Sequence, residues 1–171
     1  MSLKNELYAA LRQYDGRALT ILSEAAARFG QRPGYLGALI DLAPNRVRFV
    51  SAGATWMLKA ALEGGSRLTP PQTARLLGKL DGITAWQARL HVCQVSCRLD
   101  VPEEHQAAFR RWLTPLLAAE RPFLRAWALD ALCRLDATHC ETLLDRMAED
   151  PAASVRARVR NLRGKLAPRP G

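Results

Sequence analysis

No apolar run in this sequence approaches the roughly 18 residues needed to span a bilayer. The opening residues, Met1-Ser2-Leu3-Lys4-Asn5-Glu6-Leu7, have no hydrophobic signal core and carry an early acid. A soluble, cytoplasmic protein without a membrane partner is therefore expected. Cysteines are few (Cys93, Cys97, Cys133 and Cys140) and are not spaced like a secreted disulfide framework, so free thiols are expected in a reducing cytosol. No long alternation of Val, Ile, Thr and Tyr is present to make a sheet. The sequence also lacks a glycine-rich nucleotide loop, a His-Glu-x-x-His zinc motif and a nucleophile elbow. These absences predict no catalytic residues, no cofactor and no metal.

What is present is helical. Hydrophobic residues make up 49% of the 171 positions, mostly Ala and Leu, enough for a sizeable core and in favour of helix. Leu124, Ala128, Ala131 and Leu135 recur at offsets of 4, 3 and 4, one stripe of a helix. The same offsets return in Val155, Val159, Leu162 and Leu166, in Trp86, Leu90, Cys93 and Cys97, in Val47, Ser51, Ala54 and Leu58, and in Ala18, Leu22, Ala25 and Phe29. Their starts lie 29, 39, 38 and 31 residues apart, the spacing of a two-helix repeat with variable loops. The pattern predicts first (A) helices at 2–14, 33–42, 70–80, 103–118 and 138–149, and second (B) helices at 16–29, 45–63, 84–99, 122–135 and 152–166. Breakers such as Gly64-Gly65, Pro70-Pro71 and Asp150-Pro151 fall between them.

A second signal accompanies the stripes. The residue after the first stripe position is Arg48, Gln87, Arg125 or Arg156 in the last four copies, and Asp41, Asp81, Glu120 or Asp150 lies five to seven residues earlier. Its recurrence predicts that Arg48, Arg125 and Arg156 pair internally with Asp41, Glu120 and Asp150. Around Glu120-Arg121-Pro122-Phe123-Leu124-Arg125 and Asp150-Pro151-Ala152-Ala153-Ser154-Val155-Arg156 the chain resembles HEAT repeats, the helix pairs of HEAT-like and armadillo-type α-solenoids. The resemblance implies an all-α, right-handed superhelix of about five helix pairs, one domain over 1–171. In it, 1–30 is a cap or degenerate repeat, and 152–171 is a basic capping helix with a frayed tail at Pro168-Arg169-Pro170-Gly171.

Charge is concentrated at the C-terminus. The net charge is +9, and the last 21 residues hold six basic groups and no acid, which leaves 19 basic against 16 acidic residues in 1–150. Arg156, Arg160 and Arg163 share one face of the last helix, which reads as a solubilising cap, a site for an acidic protein or a nucleic-acid contact. The cluster His91, Cys93, Cys97, Cys133, His139 and Cys140 reads as buried side chains rather than zinc ligands. Trp127 and Asp130, one turn apart, resemble the aromatic and carboxylate of HEAT-like DNA glycosylases that remove alkylated bases. The leading expectation is a non-catalytic scaffold that binds an acidic protein partner. Candidate contacts are Arg48, Gln87, Trp127, Asp130, Arg125, Arg156, Arg160 and Arg163. Nucleic-acid binding is the alternative, and self-association through an uncapped end is a further possibility.

Overall fold

The structure is a computed structural model in which residues 1–166 are described; the tail at Pro168-Arg169-Pro170-Gly171 lies outside them. Among the described residues there are ten α-helices and no strand: α1 (Leu3–Leu11), α2 (Leu19–Phe29), α3 (Tyr35–Leu42), α4 (Arg48–Glu63), α5 (Pro70–Leu77), α6 (Trp86–Val95), α7 (Glu103–Leu113), α8 (Pro122–Leu135), α9 (Cys140–Met147) and α10 (Ala153–Leu166). Each expected helix is present, and the boundaries differ for local reasons. Gly34 has φ +84, a left-handed conformation that delays α3 to Tyr35. Pro115 has no N–H and clashes with the preceding turn, so α7 stops at Leu113 and a 3-10 turn covers Thr114–Ala118. The Asp136 carboxylate accepts from the Thr138 and His139 N–H groups, which makes a 3-10 turn of Ala137–His139 and starts α9 at Cys140. Thr69 and Gln72 form a reciprocal capping box over the prolines that open α5.

The chain divides into two compact units, Met1–Phe109 and Arg110–Gly171. In the first, α4 is the central helix and packs against α1, α2, α3 and α6. Gly53, on α4, is what lets α1 and α2 approach. A Cβ there would lie 2.7 Å from Leu11 Cδ2 and 3.0 Å from Leu22 Cδ2, and both leucines are fully buried. The polar groups inside α4 are satisfied locally: Ser51 Oγ donates to the Ala43 carbonyl, and the Thr55 hydroxyl lies within hydrogen-bond reach of the Ser51 and Ala52 carbonyls. In the second unit α8 packs against α9, α10 and the 3-10 turn at Thr114–Ala118.

The apolar stripes lie inward, with one correction. On α2 the stripe buries Leu22, Ala25 and Phe29; on α4, Ser51, Ala54 and Leu58; on α8, Leu124, Ala128 and Ala131; on α10, Val155, Val159 and Leu162. On α6 Cys93 of the expected stripe is buried, together with Ala88, Val92 and Val95 and, beyond the helix, Leu99, while Trp86 and Leu90 are half-buried and Cys97 is exposed. A second buried stripe on α6 thus runs two residues after the expected one, with the same 4-3-4 offsets. Cys97 sits in the 3-10 turn Ser96–Arg98 that ends α6, which takes it off the buried face.

The expectation of four free thiols is also corrected. Cys133 at the end of α8 and Cys140 at the start of α9 form a disulfide, with Cα atoms 4.6 Å apart. The turn at Ala137–His139 brings the two helix ends close enough for the bond. Cys93 and Cys97 remain free thiols. No described helix is long and apolar enough to cross a membrane.

Candidate cationic sites

The repeated arginine has a defined structural task, seen three times once the second stripe of α6 is included. Arg125 Nη1 donates to the Ala119 and Glu120 carbonyls at 2.8 and 3.1 Å, six and five residues back. Arg156 Nη1 donates to the Asp150 and Pro151 carbonyls at 2.7 and 2.9 Å, with the same offsets. Arg89 Nε donates to the Ile83 carbonyl at 2.9 Å, again six residues back. The arginine missing at Gln87 is therefore Arg89, directly after the buried Ala88. Each such side chain ties the turn between helices to the first turn of the helix that follows.

The carboxylate partners differ from expectation. Arg125 forms a two-point ion pair with Asp150, not Glu120, through Nε–Oδ2 and Nη2–Oδ1 contacts of 2.8 Å each. The guanidinium hydrogen bond holds the Asp150 carboxyl below the usual carboxylate range, and Ala152 N–H adds to the effect. Asp41 pairs with Arg75 and with Lys79 of the following segment, not with Arg48. Arg156 meets backbone carbonyls rather than the Asp150 carboxylate. None of the three expected carboxylate pairs forms: Arg125 and Arg156 tie turn to helix through main-chain oxygens, and Arg48 makes no such contact among the described residues. The acids serve neighbouring helix pairs.

Trp127 and Asp130 are brought together with two arginines that spacing did not single out. Asp130 is buried and accepts from Arg134 Nε at 2.7 Å and from Arg158 Nη1 at 2.9 Å. The Arg158 guanidinium lies 4.1 Å from the Trp127 ring centroid, a cation–π contact. Both carboxylate oxygens and one aromatic face are thus already occupied. Arg134, four residues after Asp130 on the same helix, is a pair that spacing alone would have found. Arg158 needed the packing of α10 on α8. On α10, Arg163 pairs with Asp145, and Arg160 is exposed with no ion pair among the described residues.

Arg48 and Gln87 come together in the first unit. They line a cavity of about 440 Å³ with Asp15, Gly16, Arg17 and Phe49. Gly16 has φ +88 and lies so close to Phe49 that a Cβ there would be 2.5 Å from its Cε1. Phe49 is further held by an edge-on contact with Tyr14, ring centroids 6.2 Å apart. The Arg48 guanidinium sits 5.2 Å from the Phe49 centroid. Asp15 Oδ1 is committed to the Arg17 and Ala18 N–H groups at 2.8 and 2.9 Å, and these hydrogen bonds hold its carboxyl below the usual range. Neither Arg17 nor Arg48 makes an ion pair among the described residues. Sequence reasoning missed Arg17 because the position after the first stripe residue, Ala18, is Leu19 in this copy, and Arg17 lies before the stripe.

The cysteine and histidine cluster has structural partners. His91 Nδ1 lies 2.9 Å from the Thr55 hydroxyl. Burial, and then the charge of Lys59, push the His91 pKa down to about 4. Burial raises the Cys93 thiol to about 12. Among the described residues, no three His, Cys, Asp or Glu side chains gather as metal ligands would. No family model, curated protein or solved structure matches the chain.

Proposed function

We propose that the helix pairs form a HEAT-like α-solenoid array that acts as a non-catalytic scaffold for an acidic protein partner. The turn-to-helix arginine contact recurring at Arg89, Arg125 and Arg156 supports the repeat reading, since one local device in three successive pairs is what a repeated unit requires. The observation that carries the binding reading is how the cations divide. Arg125 and Arg156 are consumed by the fold, whereas Arg17, Arg48 and Arg160 are exposed and have no carboxylate partner among the described residues. Guanidinium groups left in this state suit two-point recognition of carboxylates.

The base-excision alternative draws little support from Trp127 and Asp130. A base stacking on the covered face of Trp127 has to displace Arg158, and Asp130 is bound by two guanidiniums. Fluorescence anisotropy with an acidic polypeptide, duplex DNA and single-stranded RNA at low and moderate salt tests the proposal. Salt-sensitive binding to the acidic polypeptide in preference to both nucleic acids supports it. Tighter binding to DNA or RNA, falling steeply with salt as phosphate contacts do, transfers the function to nucleic acid.

A further inference from the structure

We infer that the cavity at Arg17 and Arg48 is the anchor point of the acidic partner, taking adjacent carboxylates of an extended acidic peptide; this rests on the scaffold reading. The lining residues fall at equivalent places in three successive helix pairs. Arg17 immediately precedes the N-cap of α2, Arg48 and Phe49 open α4, and Gln87 is the second residue of α6. The N-cap residues of these helices are Ala18, Val47 and Ala85, and none supplies a side-chain cap. The start of α2 is already met by the Asp15 carboxylate, so the ends of α4 and α6 are the ones that add to the two guanidinium charges.

Arg48 is the B-helix arginine that was expected to serve the fold and does not. Ser51 makes the tie from α4 to the preceding turn instead, through the Ala43 carbonyl. The Arg48 guanidinium is held over Phe49, whose ring is itself fixed by Gly16 and Tyr14. The cation is thus placed before any ligand arrives, and little side-chain freedom is lost on binding. Gln87 lines the cavity too, and its Oε1 is buried without a hydrogen-bond partner. The cavity is an open surface depression of about 440 Å³, which an extended peptide can cross.

The same residues disfavour a nucleic-acid strand. The aromatic face nearest the site already carries Arg48, whereas single-strand binders stack bases on such faces. Asp15 stands in the lining and repels phosphate and carboxylate alike, so the preference rests on the occupied aromatic face and on two-point pairing with single carboxylates. A peptide carboxylate can meet Arg17 or Arg48 at two points and leave Asp15 hydrogen-bonded to its own backbone.

The test is anisotropy with a fluorescein-labelled hexaglutamate peptide at low salt, using the whole chain and the variants Arg17→Ala, Arg48→Ala and Arg160→Ala. Circular dichroism melts verify that each variant folds. The expected result is binding weakened roughly tenfold or more by Arg17→Ala and by Arg48→Ala, with a smaller loss in Arg160→Ala than in either. Wild-type binding that survives both cavity variants and is lost in Arg160→Ala overturns this site while the scaffold reading stands. Failure of the wild type to bind hexaglutamate overturns both. A dodecanucleotide that binds more tightly than the peptide and depends on Arg48 assigns the cavity to nucleic acid and overturns the proposal.

Discussion

Arg125 and Asp150 meet through two 2.8 Å hydrogen bonds although 25 residues of chain separate them. The pair links the first turn of α8 to the turn before α10, and both side chains are nearly buried, 12% and 7% exposed. Removing either partner leaves the other charged group desolvated. Asp150→Asn and Arg125→Ala are expected to destabilise the protein by about 2–4 kcal/mol in urea unfolding. Glu120→Ala is expected to change stability by less than about 0.5 kcal/mol, because Arg125 uses only the Glu120 carbonyl. The Asp150 carboxyl is lowered in the fold, so the pair's contribution is complete above the unfolded carboxylate pKa and is lost as pH falls through the folded one. A large loss in Glu120→Ala with little in Asp150→Asn would contradict the assignment.

His91 makes the first unit sensitive to mild acid. Its ring lies against α4 beside Thr55 and Lys59, with a folded pKa of about 4 against an ordinary 6.5. The unfolded chain binds a proton first. Stability is therefore full above about pH 6.5, declines as pH falls from there to about 4, and declines no further from this group below that. The total loss is on the order of 3 kcal/mol. Thermal midpoints taken between pH 7 and 4 check this. His91→Gln is expected to flatten that part of the profile, and an unchanged slope in the variant would assign the acid sensitivity to other groups.

The legible part of this fold was its periodicity. Offsets of 4 and 3 located the five second helices, because a buried helical face imposes that spacing whatever it packs against, and the first helices were placed between those stripes and the breakers. The α6 frame is ambiguous in the sequence because Trp86, Leu90, Cys93 and Cys97 fit the same offsets as Ala88, Val92, Val95 and Leu99, and Cys93 is buried along with the second set. What spacing cannot supply is the partner of a long polar side chain. Arg125 reaches Asp150 instead of Glu120, and Asp41 reaches Arg75 instead of Arg48, because the packing of successive helix pairs brings those acids closer. Arg158 was missed for the same reason.

Two glycines in helices are expected to respond oppositely to alanine. At Gly53 the added methyl meets Leu11 at 2.7 Å and Leu22 at 3.0 Å inside a filled core, so Gly53→Ala is expected to cost about 1–3 kcal/mol despite its better helix propensity. At Gly37 the nearest atom is Arg75 Nη1 at 3.9 Å, so Gly37→Ala is expected to stabilise by about 0.5–1 kcal/mol. Chemical denaturation of both variants measures the contrast. A stabilising Gly53→Ala would mean that α1 and α2 do not rely on this close approach.

The cysteines give a reading of both structure and compartment. Cys97 is exposed and Cys93 is buried with its thiol raised to about 12, so only Cys97 is expected to react with a thiol reagent in the native, unreduced protein. Cys93 is expected to become reactive on unfolding. Cys133 and Cys140, joined in the fold, are expected to react only after reduction. A cytoplasmic location keeps thiols reduced, whereas an oxidising compartment preserves this bond. Native, denatured and denatured-reduced samples, alkylated at the moment of cell lysis and weighed by mass spectrometry, separate these cases. One, two and four labelled thiols in that order would place the intact bond in the cell. Four labels on denaturation without reductant would show both cysteines held as thiols there, as a cytoplasmic protein requires.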